Sequence, residues 1–570
     1  MRKPDNIVYW QNERPPARFA AALALQQAAF LGALLALPSL FAHHHGLPYE
    51  QFLNIAAATL LVTAVGVVLQ VLQRGGIGSG YYYPMQATSA VLPAMYLASD
   101  VGGLALSFGM VAVIGVSQIA FSYVLPRLRS VFTVEIAGLA VMLLGIGLGQ
   151  MGVHLIFEGE QQSRISPADI AVAGITFFTM VFCNVWIKSR ARMFATLIGL
   201  GIGALAAWLL GLIDATDGAQ LGAAPWFRLP ELGLGGWAFE PALILPYVIT
   251  GFFLAVGSLG TQTMAQQAND AEWRRADLHA FGRGLRAEGC TQLVAALLHG
   301  LPLASSGGAV SQAAASGSTS RHLGYWLAGV LVLFALLPKL MLVWLVLPEA
   351  VIGGLLLFLS AFTMLSGVQM VGSRLLDNRR VLAVGTGLAV ALSFPALHGG
   401  LAQLWPLGAE QVVFSAFAGG LLTAVLLTAL FRLGVKRRTM QTFDIAHTTM
   451  EEVTRFIERQ GALWGARREV VQRAQLAAWQ AFDLLAQGGF VQAQPALIRL
   501  RTLHDEFSLS ISFQYEGRAP VLSPTPPGHD ELLEDPHAEA RLAGYLINRL
   551  ARAKVRQSGK LCSLHLGFAD

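Results

Sequence analysis

Charge is scarce in this chain: only 13% of its 570 residues are Asp, Glu, Lys or Arg, where soluble domains carry about 25%. An ordinary soluble enzyme is thereby excluded for most of the length. Cysteine is scarcer still. Cys183, Cys290 and Cys562 lie far apart without metal-like spacing, so we expect reduced thiols, no disulfide framework, no metal site and no cofactor. The net charge of +5 falls in the loops between apolar runs and implies no nucleic-acid partner.

What the chain has instead is apolar length. Hydrophobic residues make up 54% of it, and runs such as FAAALALQQAAFLGALLALPSLFA and LAGVLVLFALLPKLMLVWLVL are long enough to cross a bilayer. The lipid bilayer is therefore the first partner. The fold class read from this is an all-α polytopic membrane protein. Hydropathy places spans near 19–42, 52–72, 84–98, 101–124, 132–153, 168–187, 192–213, 240–263, 289–301, 308–319, 323–345, 347–369, 380–398 and 411–432. The first follows Arg14, Pro15 and Pro16, lacks a small-residue cleavage site, and reads as an anchor. Every second loop is basic: Arg74, Arg127 with Arg129, KSRAR at 188–192, EWRRADLHAFGRGLR at 272–286, Arg321, SRLLDNRR at 373–380 and VKRR at 435–438. By the positive-inside rule, both termini are then cytoplasmic, in a cell (inner) membrane.

Composition divides the chain into 1–18, a cytoplasmic N-terminal segment; 19–438, a transmembrane domain; and 439–570, a soluble α+β domain. In the last we expect helices near 445–460, 466–487, 493–505 and 537–553, with strands at SLSISFQYEG and KLCSLHLGF.

Two spans are short and rich in glycine, serine and proline: IGSGYYYPMQATSAVLPAM (77–95) and SSGGAVSQAAASGSTSR (305–321). Irregular backbone is tolerated in a membrane only where it lines a protein-enclosed cavity. Such spans in corresponding places of two halves mark the substrate site of inverted-repeat transporters. These two fall third and tenth, corresponding positions in two repeats of seven. Packing faces of small residues are the plainer alternative for either one.

On these residues the chain resembles the nucleobase:cation symporter 2 family. LQQ (25–27) is similar to its Leu-Gln-His, GIGSGYYYPMQATSAVLPAM to its third span, and SRHLGYWLAGVLVLFALLPKL with LPEAVIGGLLLFLSAFTMLSGVQMV to its eleventh and twelfth. The resemblance covers roughly 21–438. It implies fourteen spans in two inverted repeats of seven, a core (spans 1–4 and 8–11) moving against a gate (5–7 and 12–14), and a homodimer. The family's carboxylate on span eight falls at Gly257, and its acidic position on span ten falls at Gly308 or Ala309. No Asp or Glu is expected well inside a core span. A coupling ion, proton or sodium, is left without an acidic carrier. The candidate substrate-binding set is Gln86, Thr88, Ser89, Gly257, Ser258, Thr261, Gly308, Ala309, Ser311 and Gln312, with Gln26, Gln27, Gln262, Ser305 and Ser306 as further neutral groups. They present donors and acceptors to a flat heterocycle. Each Ser or Thr taken singly also fits helix packing. The function this implies is a secondary transporter for a nucleobase-like small-molecule substrate of the uracil, xanthine or urate class. A carrier of small anions and a transport-inactive receptor stay open.

The tail resembles the histidine-kinase-like ATPase fold in its anti-sigma form, with its chemical positions replaced by Gln480, Leu484 and Tyr515, and only Gly517 and Gly544 retained. This implies a domain without ATP hydrolysis, open to a regulatory protein partner.

Overall fold

The computed structural model describes residues 2–32, 37–38, 41–42, 45–88, 91–124, 133–157, 166–188, 190–213, 224–233, 235–273, 276–345, 347–373, 375–401, 416–431, 438–492, 494–504, 508–520, 522–527 and 538–569. Apolar helices dominate the first three quarters. Among the described residues, seven are long and apolar enough to cross a bilayer by length and composition. In chain order the helices are α1 (Ala17–Gly32), α2 (Tyr49–Leu72), α3 (Leu92–Val124), α4 (Val134–Phe157), α5 (Pro167–Val185), α6 (Ala195–Leu209), α7 (Ile244–Ala268), α8 (Leu278–Leu298), α9 (Gly307–Ala315), α10 (His322–Leu336), α11 (Pro338–Leu345), α12 (Glu349–Gly372), α13 (Asn378–Leu401) and α14 (Ala416–Phe431).

α3 is two helices in one. Gly102 and Gly103 leave helical geometry inside it, Gly103 with φ of 70°, so a half-helix precedes a full span. Pro338 breaks the predicted span 323–345 into α10 and α11, because proline restricts the residue before it and supplies no N–H. Counted this way, the pieces occupy the fourteen positions read from the hydropathy.

Both glycine-rich spans are broken as expected. β1 (Met85–Ala87) and β2 (Leu303–Ser305) pair antiparallel, in the register Met85↔Ser305, Gln86↔Ala304 and Ala87↔Leu303. Each strand leads toward a short helix, the first part of α3 and α9. The pairing satisfies backbone groups that lipid could not. Gly78 makes the turn into β1 at φ of 87°, where a Cβ would collide with the Leu69 carbonyl.

One boundary differs in a way that matters. The segment 272–286 is expected as a basic loop with a span from 289; instead α8 starts at Leu278, capped by the Asp277 carboxylate. Arg283 and Arg286 depress the hydropathy of a segment that is nonetheless helical.

The chain forms two compact units. One holds Met1–Val371 and Val384–Val425; the other holds Gly372–Ala383 and Leu426–Asp570. The second unit is built on an antiparallel sheet of order β3-β4-β5-β7-β6, made of Arg438–Asp444, Leu497–His504, Ser508–Glu516, Leu561–Ala569 and Arg552–Ser558. Helices α15 (Met450–Trp464), α16 (Arg468–Gln487) and α17 (Ala538–Leu550) contribute Val453, Ile457, Val471, Ala478, Leu485 and Ile547 to its core. The helix expected over 493–505 is the strand β4. Its residues alternate exposed and buried, the period of two that LIRLRTLH spells out. The last expected helix stops at Leu550, and β6 follows.

Candidate functional site

α7 and α8 meet through a buried polar cluster. The Ser258 hydroxyl donates to Glu288 Oε1 at 2.5 Å, and Gln262 Nε2 donates to the Ser258 oxygen at 2.9 Å. Ser258 and Gln262 sit one turn apart, on the same face of α7. Glu288 is fully buried, which corrects the expectation that no acid lies inside a core span. The reason is the boundary above: a helix from Leu278 carries Glu288 to its middle.

Broken span three and the end of α2 supply the rest. The Tyr83 phenol, buried, lies beside the carboxyl of Glu288. Gln70 Nε2 donates to the Gly284 carbonyl at 2.9 Å. Gly284 is glycine because a Cβ there would strike Gln262 Oε1 and the Tyr83 hydroxyl. Glu288 Oε2, Gln262 Oε1 and Thr261 Oγ1 are buried without a protein partner. Leaving such groups unsatisfied costs about 1–3 kcal/mol each, so the cluster is suited to a further hydrogen-bonding guest.

A second locus surrounds α9. The Ser306 hydroxyl caps the helix, accepting from Ala309 N at 3.0 Å and donating to Gln86 Oε1. Ser311 shares a 2.8 Å hydrogen bond with Thr363 on α12. Gln312 Nε2 donates to the Gln26 carbonyl at 3.2 Å and to Thr196 Oγ1 on α6 at 3.0 Å. Gln26 Oε1, Gln27 Nε2 and Gln312 Oε1 stay buried without a partner. Span eight packs against both β2 and α9, which brings the two loci to one region.

The expected residues thus fall into different positions. Ser258 is in the carboxyl cluster; Gly257 precedes it, and Thr261, buried, follows about one turn on along α7. Gln86 joins the cap of α9, and Thr88 follows β1, half-buried. Ser311 and Gln312 reach neighbouring helices. Gly308 and Ala309 contribute backbone only, and a Cβ on Gly308 would sit 2.6 Å from the Phe30 ring. The space an acidic side chain would need there is taken by a phenyl group. Ser89 lies outside the described residues. His299 stacks on Phe108 with centroids 4.8 Å apart and bonds the Gly236 carbonyl at 3.1 Å. Among the described residues no group of His, Cys, Asp and Glu is placed to hold a metal ion. Glu288, Tyr83 and Gln70 are the functional candidates that sequence reasoning missed. For Glu288 the available signal was the helical spacing of Phe281, Leu285 and Glu288 itself.

Comparison with known proteins bears on what this region serves. A family model described as the permease family (Xan_ur_permease) matches residues 20–400. The xanthine permease XanP of Escherichia coli K12 is 25% identical over 448 residues, covering 75% of this chain and 95% of the relative. The uric acid permease PucJ of Bacillus subtilis 168 is 26% identical over 427 residues, covering 73% and 93%. Among solved structures, murine Slc26a9 in its inward-facing state aligns with a TM-score of 0.48 at 12% identity, covering 75% of this chain and 70% of that one. The transmembrane domain of the cyanobacterial bicarbonate transporter BicA aligns with a TM-score of 0.37 at 15% identity, covering 73% and 99%. With broken spans paired around buried polar groups and a family match over most of its length, the chain belongs to the permease family of nucleobase:cation symporters and is a multi-pass membrane transporter, not an enzyme.

Proposed function

We propose that this chain carries a flat, nucleobase-like heterocycle of the xanthine and urate class by secondary active transport. The observation that carries this reading is Glu288, sealed among Ser258, Gln262 and Tyr83 next to the paired strands of two broken spans. Neutral amides and hydroxyls with open valences suit the donor–acceptor edge of such a ring. A carboxyl inside a membrane span marks a substrate or ion pathway, and here it gives coupling to protons a carrier. The relatives named for xanthine and uric acid point to the same substrate class. A small inorganic anion fits less well, because it brings no donor–acceptor edge to match these amides and hydroxyls.

Alternating access proceeds, in this reading, by an elevator-type movement of spans 1–4 and 8–11 against the rest. The protein sits in the inner membrane with both termini cytoplasmic and pairs as a homodimer. The C-terminal domain is read as an ATPase-like fold without ATP chemistry. Leu484 is packed in its core, and Tyr515 is buried with its hydroxyl donating to the Arg518 carbonyl at 2.9 Å. In this reading the two side chains replace the amide and the carboxylate of that chemistry.

Uptake of labelled xanthine and urate into proteoliposomes, against bicarbonate and sulfate, with and without an imposed pH gradient, is the test. Saturable, gradient-driven uptake of a purine is the expected result. Transport of the inorganic anions alone would replace this reading.

A further inference from the structure

The five-stranded sheet of the C-terminal unit buries one of its faces. Phe443, Ile498, Ile511, Phe513 and Leu564 point into the core that α15, α16 and α17 share. Residues directly opposite on neighbouring strands stand on the same face, so the strand register shows what the other face carries. It carries six cations: Arg438 on β3, Arg499 and Arg501 on β4, and Arg552, Lys554 and Arg556 on β6. Arg501 is half-buried and the other five are exposed. Between these two flanks, β5 and β7 present short side chains, Ser510, Ser512 and Ser563 among them. The carboxylates of this face, Asp444 and Glu516, lie at the ends of β3 and β5 far from Arg438. Among the described residues none of the six cations forms an ion pair with a carboxylate. Strands lie about 4.8 Å apart, so the charges share a patch about 20 Å wide. Like charges gathered in this way repel one another and attract an anionic surface.

Two apolar side chains stand among the cations. Met440 is 58% exposed and Leu503 37%. Leu503 is opposite Arg438, and Met440 is opposite Arg501, so cation and apolar group alternate at one corner of the sheet. The chain enters the sheet at the same corner. α14, the last apolar helix, ends at Phe431, and β3 starts at Arg438. Seven residue steps span at most about 25 Å. An acidic protein would answer the charge alone. An anionic bilayer answers the charge, the exposed apolar pair and the short tether together: basic groups next to a span are drawn to anionic leaflets, and apolar side chains among them gain by entering the headgroup layer.

We propose that the open face of this sheet docks on the anionic lipid surface of the membrane that the chain spans, with the cations of β4 and β6 on lipid phosphates and Met440 and Leu503 in the headgroup layer. Nothing in this depends on which solute is carried.

The test uses the full-length protein in lipid nanodiscs, with its three native cysteines replaced by alanine and a polarity-sensitive fluorophore on Met440→Cys. Emission is expected to shift to the blue in discs of three parts phosphatidylcholine to one part phosphatidylglycerol. It is expected to stay unshifted in phosphatidylcholine alone, and the shift to reverse in half-molar salt. Arg499→Glu with Lys554→Glu, both at exposed positions, is expected to abolish the shift without lowering the melting temperature. The same fluorophore on Glu451→Cys, exposed on α15, is expected to report no shift. No shift at Met440→Cys in the anionic discs, an equal shift in the neutral ones, or a shift that survives the charge reversal overturns the docking. A shift evoked by soluble poly-glutamate in neutral discs, with none from phosphatidylglycerol, also overturns it and gives the face to an acidic protein. No transport is measured, so none of these outcomes touches the substrate reading.

Discussion

The Ser258 hydroxyl and the Glu288 carboxyl, on successive spans, share a 2.5 Å hydrogen bond with both residues sealed from solvent. Glu288→Gln keeps the volume and one oxygen acceptor for Ser258 but removes the exchangeable carboxyl proton. Uptake driven by a pH gradient is expected to fall at least about tenfold, a loss of 1.4 kcal/mol or more in coupling. Exchange of labelled for unlabelled substrate at equal pH is expected to persist. Gradient-driven accumulation at the wild-type level in Glu288→Gln would remove the residue from coupling.

Phe30 and Gly308 form a matched pair. Gly308→Glu forces a side chain into the Phe30 ring, and overpacking of that kind costs about 1–3 kcal/mol before any charge is buried. The single variant is expected to melt several degrees lower in detergent, and the double variant with Phe30→Ala to recover part of the difference. Additive losses in the two singles and the double would show that the ring and the glycine are independent.

Residues 8–11 lie along the turn after α9. Val8 N and Tyr9 N donate to the Gly317 carbonyl at 2.7 and 3.1 Å, Thr319 N to Tyr9 O at 2.9 Å, and Arg321 N to Gln11 O at 2.9 Å. Trp10 Nε1 donates to Asn269 O at 2.8 Å, and Gln11 Nε2 to Gly80 O at 3.0 Å. At about 1 kcal/mol each, deleting residues 2–12 is expected to lower the melting temperature of the membrane part by several degrees. Lys3→Ala removes a half-exposed pair with Glu13 and one hydrogen bond to the Val8 carbonyl at 2.9 Å and is expected to change it less. A deletion that melts like the intact chain would show the segment to be dispensable.

His565 in β7 shares a 2.6 Å hydrogen bond with Ser512. Burial, then Arg556 and Arg501 nearby, hold the imidazole below its usual range. The unfolded chain therefore takes up the proton first as pH falls. Stability from this site is fully present above the ordinary histidine value of about 6.5 and is lost as pH drops through the lower folded value. Hydrogen-exchange protection of β5 and β7 is expected to weaken from pH 7 to pH 5, and His565→Gln to flatten that dependence. An unchanged slope in the variant would assign the pH sensitivity elsewhere.

The sequence by itself determined the membrane class, the fourteen positions and the two broken spans. Apolar length and the breaking of helices by glycine and proline are local properties, readable one segment at a time. Hydropathy misleads at α8, where Arg283 and Arg286 mask a helix, and at Leu497–His504, where a strand stands in place of the expected helix. Only the tertiary structure decided which polar groups meet. Glu288 reaches Ser258 because two spans cross there, and the empty acidic position at Gly308 is closed by Phe30, 278 residues earlier in the chain. Ser373 and Leu375 likewise read as an inter-span loop, yet they are fastened to Arg468 and Ala466. Such pairings depend on distance in space, on which hydropathy and motif spacing carry no information.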